Sequence, residues 1–197
     1  MTNSFRAGIV IAAFIVALPS YASAQEASDG ALLVWHPVLA ASVERLSAES
    51  ASWRDGFNAL TATGRQTILV TPDAIKSGFD SEKLAQAQPV VDEGSAIDTV
   101  VVVVNLELLQ RLSGLPVKAI EFERDLDRLV AHEVYGHAIP LLMAGSLSGN
   151  CADPAAGQSA ADACAIKREN VIRKEMRLGQ RFDYGREGLA LARRSQQ

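Results

Sequence analysis

The chain has 197 residues, 48% of them hydrophobic and 21% charged, and a formal net charge of −4. That length is enough to bury one proper core, so a single domain is expected. A mildly acidic chain with no basic stripe does not favour nucleic acid or an anionic membrane as a partner.

The first 24 residues read as a secretory signal peptide. Arg6 is the only charge there, residues 7–18 form an apolar run, and Ala22-Ser23-Ala24 supplies small residues for cleavage after Ala24. The run falls short of the roughly 20 apolar residues that a membrane span needs. Cleavage removes Arg6 alone among the charges, taking the net charge from −4 to −5 and leaving residues 25–197 as one exported domain, periplasmic or secreted, with no membrane attachment. An uncleaved anchor is the alternative.

Residues 25–30 are polar and residues 32–35 are a short apolar segment. From 37 to 60, Val38, Leu39, Val43, Leu46, Trp53, Phe57 and Leu60 recur at near-helical spacing, which predicts one long or broken helix ended by Gly64. Residues 67–71 are β-branched and predict a strand stopped at Pro72-Asp73. Residues 74–89 read as loop or weak helix. The five valines within residues 99–105 predict the strongest strand, buried on both faces.

A helix is expected over 106–112, ended near Gly114, and another over 119–142. On the latter, Leu126, Leu129, Val130 and Val134 form an apolar stripe, with Asp125, Asp127 and Arg128 on the polar side. A last helix is expected from 161 to 178 with Gly179 as its C-terminal cap. The only cysteines are Cys151, between these two helices, and Cys164, in the first turn of the last one. In an exported chain they are expected to pair, stabilising by about 3 kcal/mol in the loop-entropy account. A metal-thiolate role for them is the disfavoured alternative.

The chemistry concentrates in His132-Glu133-Val134-Tyr135-Gly136-His137, which holds two of the three histidines. Two neutral imidazoles bind Zn²⁺, and a neighbouring glutamate takes a proton from metal-bound water. The common spacing places the histidines four apart; here it is five. On a regular α-helix those side chains diverge by roughly 140°, but one inserted residue, a π-bulge, realigns them. Gly136 tolerates such geometry, and Pro140 cannot donate the helical bond to the Gly136 carbonyl. The competing reading is a regular helix whose histidines do unrelated things. A third ligand is better sought in a carboxylate of the last helix than in His36, the remaining histidine.

The His-Glu-x-x-Gly-His stretch resembles the zinc-binding helix of the dipeptidyl-peptidase III family. A broader likeness, from Leu129 to Tyr184, is to the compact metallopeptidase domains of bacterial type III effectors and Rhs-type toxins. It is carried by the motif helix, Glu169-Asn170-Val171-Ile172-Arg173, Gly179 and Arg181-Phe182-Asp183-Tyr184. The resemblance implies Glu169 as third zinc ligand and a peptidase-like activity on a peptide or protein substrate. Tyr184 could donate a hydrogen bond to a developing oxyanion, or be a half-buried structural tyrosine. The expected architecture is α+β and zincin-like, a small sheet packed on the motif helix and an antiparallel ligand-bearing helix. His132, His137 and Glu169 would hold Zn²⁺, and Glu133 would be the general base. An inactive exported zinc-binding or interaction module on the same fold is the alternative.

Overall fold

The computed structural model describes residues 30–75, 78–91, 96–147 and 159–181. Strands β1 (Leu32–Val34), β2 (Gln66–Val70), β3 (Ala85–Val90) and β4 (Thr99–Val104) form one mixed sheet in the spatial order β1-β2-β4-β3. The first three in that order are parallel, with Val34 opposite Leu69 and Val70 opposite Val103. The last, β3, runs antiparallel along the outer side of β4, with Ala87 opposite Val102.

The valine run forms β4, and its alternation divides the core. Val100, Val102 and Val104 join the main helical core, while Val101 and Val103 join Val70, Trp35, Ile75 and Phe79 on the other face. Both faces are buried, as the unbroken apolar run requires. By contrast β3 falls within residues 74–89 and Val90, where loop or weak helix was expected. Its alanines and glutamines have little intrinsic strand preference. What makes them a strand is the neighbouring backbone of β4.

The stretch 37–60 is two helices, α1 (Pro37–Glu49) and α2 (Ala51–Thr61). Ser50 divides them, its N–H bonding the Leu46 carbonyl while its Oγ accepts from the Trp53 N–H at 3.0 Å. His36 caps α1, its Nδ1 accepting from the Val38 N–H at 3.2 Å. The third helix, α3 (Leu106–Ser113), is capped by Asn105 and ended by Gly114 at φ 64.

The motif helix runs without a break through α4 (Ile120–Val130), a π-helical segment (Ala131–Ala138) and α5 (Ile139–Ala144), and Gly145 ends it at φ 65. Phe122, Leu126, Leu129, Val130 and Val134 are buried, each such side chain worth about 1.5–3 kcal/mol relative to exposure. The same helix buries Asp125 and Asp127, at 1% and 0% exposure, although both were expected on its polar side. The second helix layer explains this: Ser42 Oγ and Arg45 Nη2 each donate to Asp127 Oδ1 at 2.7 Å, pinning α4 to α1.

Beside the π-helical segment lies α6 (Ala160–Glu175). It does not end at Gly179. Arg177 takes the left-handed conformation (φ 57), and the Leu178 N–H reaches back to the Arg173 carbonyl at 2.7 Å, closing the turn two residues earlier. Cys164, near the start of α6, is buried and is not a free thiol. Cys151 and Tyr184 lie outside the described residues, as do residues 1–29.

Candidate metal centre

The expected single bulge is a π-helical run over the whole motif, from Ala131 to Ala138, and its closing bond runs from the Ile139 N–H to the Val134 carbonyl, five residues back. In that register residues five apart stack on one face. His132 and His137 accordingly converge, Nε2 to Nε2 at 3.2 Å, with the rings edge to face at 83°. The run ends where it must, because Pro140 has no N–H to carry the pattern one residue further.

Glu169 meets this pair from α6. Its Oε2 lies 2.9 Å from His132 Nδ1, and its Oε1 accepts from Arg173 Nη1 at 2.7 Å. Arg181 Nη1 stands 3.4 Å from the same Oε2. Burial would raise the carboxyl pKa, but the His132 bond and the two guanidinium groups outweigh it and hold it below the ordinary range. Glu169, expected as a third ligand, lies against the nitrogen of His132 opposite the one that meets His137. A His132 tautomer with its proton on Nδ1 would donate to Glu169 and turn the Nε2 lone pair toward the other ring, the carboxylate–histidine arrangement that orients metal ligands.

Arg181 owes its position to Asn170. Its Nδ2 donates to the Arg181 carbonyl at 2.7 Å, and its Oδ1 accepts from the Arg181 N–H at 2.8 Å. Arg173 Nε donates to the Gly179 carbonyl as well. The Glu-Asn-x-x-Arg spacing and the glycine after it thus form a clamp. It folds the chain after α6 back so that the Arg181 side chain overlies Glu169.

Glu133 points to the sheet. It is buried, at 9% exposure, and lies near enough to the Ala87 N–H of β3 for that group to favour its charged form. Burial raises its pKa, opposed by His132, the Ala87 N–H and Arg181. The Asn105 N–H bonds the Leu84 carbonyl, so in this antiparallel register the Ala87 N–H, of opposite parity, faces away from β4, on the side where Glu133 lies. Tyr135 turns elsewhere, packing over Gly56 of α2.

The histidine pair fits a divalent cation in separation and charge. Two nitrogens each 2.0–2.1 Å from one tetrahedral ion stand about 3.3 Å apart, close to the 3.2 Å here. Burial, followed by the neighbouring His132, lowers the His137 pKa to about 4. His137 is therefore neutral near pH 7 and keeps a lone pair for a metal. A shared proton between the rings satisfies the same distance. No group of three or more ligating side chains assembles among the described residues. His36, serving as the α1 cap, stands apart from the pair.

The Ala87 N–H had no signal of its own in the sequence, since it depends on the unexpected edge strand; Arg168 was visible there only as a charge beside Glu169, whereas its Nη1 donates to the Gly136 carbonyl at 3.0 Å. The clue to Arg168 was Pro140, which announces a carbonyl in want of a donor. No protein-family model matches the chain, and no curated protein or solved structure matches it.

Proposed function

We propose that the chain is an exported, zinc-dependent peptidase of zincin-like fold. The observation that carries this reading is the convergence of His132 and His137 at 3.2 Å, on a helix whose intervening Glu133 reaches the outer edge of a strand. His132 and His137 would hold the ion, and Glu169 would fix the His132 ring from behind. Zn²⁺, when bound, supplies Lewis acidity that polarises a carbonyl and acidifies water. Glu133 takes the proton from the attacking water and passes it to the leaving amine, as a buried carboxylate with a raised pKa is suited to do.

The substrate would be an extended peptide laid along β3 by strand addition. Ala85 and Ala87 present outward N–H groups, and Pro89, of the same parity, presents none, which suits proline on an edge strand. Tyr184, outside the described residues, remains the candidate donor to the oxyanion. The resemblance to effector and toxin metallopeptidase domains and the signal-like residues 1–24 support the peptidase and export parts of the reading. Among the described residues no helix is long and apolar enough to cross a membrane.

An inactive zinc-binding or interaction module is the second reading. It is favoured by the placement of Glu169 on Nδ1, with no third ligand group assembled among the described residues. Glu133→Gln separates the two. For the enzyme, the variant keeps wild-type zinc content while cleavage of a peptide library falls about 10²–10⁴-fold, the usual worth of a general base. A wild-type protein that binds zinc and cleaves nothing is the module.

A further inference from the structure

Pro140 withdraws the N–H that an α-helix would direct to the Gly136 carbonyl. That carbonyl is met from another helix instead. Arg168 Nη1 donates to it at 3.0 Å and to the Leu147 carbonyl at 3.2 Å. These two carbonyls flank α5, so one guanidinium ties down the chain on both sides of it. The approach is possible because Gly136 has no side chain. A Cβ there would stand 3.1 Å from the Ala165 Cβ and 3.2 Å from the Ala165 carbonyl oxygen. The next residue of α6 is Glu169, which holds His132. One helix therefore supports both ends of the motif, Glu169 the first histidine and Arg168 the turn that carries the second.

We propose that Arg168 is a positioning residue that stabilises the π-helical register at Gly136 and so sets the approach of His137 to His132. The proposal rests on the metal-site reading for its functional meaning, but the register itself is measurable without metal. A guanidinium suits the role because its planar Nη1 amino group donates to both carbonyls in two fixed directions, whereas a lysine ammonium offers rotatable donors on a point charge.

The test compares the mature chain with Arg168→Met, Arg168→Lys and, as a control on the exposed side of α6, Lys174→Met. Two quantities are measured: Zn²⁺ affinity by chelator competition, and amide hydrogen exchange over residues 131–139 in the metal-free protein. The proposal expects Arg168→Met to weaken zinc binding about 10–100-fold, the range for groups that orient ligands. It also expects faster exchange confined to 131–139, partial recovery with Arg168→Lys, and no change with Lys174→Met. Should Arg168→Met fail to fold, the comparison of Arg168→Lys with wild type carries the same expectation at smaller size. Unchanged exchange and affinity in the Arg168 variants overturn the proposal and leave the zinc site standing. A wild type that binds no zinc overturns the site reading, and exchange over 131–139 then decides the role of Arg168 alone.

Discussion

A side chain at position 136 has nowhere to go: its Cβ would meet Ala165 at side chain and backbone together. Gly136→Val should therefore push α6 away from the motif and destabilise by about 1–3 kcal/mol, the usual cost of overpacking, read by urea denaturation. The same displacement should weaken zinc binding, since Glu169 moves with α6. Glu169 itself offers a sharper comparison. If it orients His132 rather than ligating, Glu169→Gln should cost about 10–100-fold in zinc affinity. His137→Ala, which removes a ligand, should cost much more. Equal losses in the two variants would place Glu169 among the ligands after all.

At the level of elements, α4 and α6 are anchored by carboxylates in different surroundings. Asp127 is fully buried against Ser42 and Arg45. Burial raises its pKa and the Arg45 and Ser42 bonds oppose this. Asp127→Ala leaves Arg45 only the longer Glu123 contact at 3.9 Å and should destabilise by about 3 kcal/mol, the low end for a broken buried pair, because the Arg45 side chain keeps 22% exposure. Glu175, at the exposed end of α6, accepts from Ser52 Oγ at 2.7 Å and from Ser50 Oγ. Its burial is too slight to outweigh those hydrogen bonds, and its pKa is depressed. The folded protein thus releases this proton more readily than the unfolded chain. The stabilisation is complete above the unfolded pKa of about 4.3 and is lost as pH falls through the lower folded value. Glu175→Gln should lower the Tm at pH 7, with the difference from wild type closing in acid.

The elements also show where sequence reading succeeds and where it stops. The five-residue histidine spacing, Gly136 and Pro140 pointed to a widened helix because each is a local backbone constraint. The widening extends over eight residues and stops just before Pro140, which has no N–H to carry it further. The five valines marked β4 by composition alone. Strand β3 was hidden because its residues become a strand only through pairing with β4. Asp127 looked like a solvated residue because its partners lie 82 and 85 positions away. Glu169 was found, but not its orientation, which Arg173 and Arg181 decide together.

Across the whole molecule, the helices and sheet bring two carboxylates, two imidazoles and a strand edge to a common place. Ala87→Pro probes the sheet's part in this. The N–H it removes faces away from β4, so the ladder should survive and far-UV circular dichroism should stay unchanged. Glu133 loses a neighbouring N–H dipole that favours its charged form, and peptide cleavage should fall about tenfold or more.

X-ray absorption at the zinc edge on the metal-loaded mature chain tests the account most directly. It counts imidazole ligands without requiring a substrate. Two imidazole nitrogens at about 2.0–2.1 Å, falling to one in either His132→Ala or His137→Ala, is the predicted result. Zinc carrying a single imidazole in the wild type, or a spectrum indifferent to both substitutions, would contradict it.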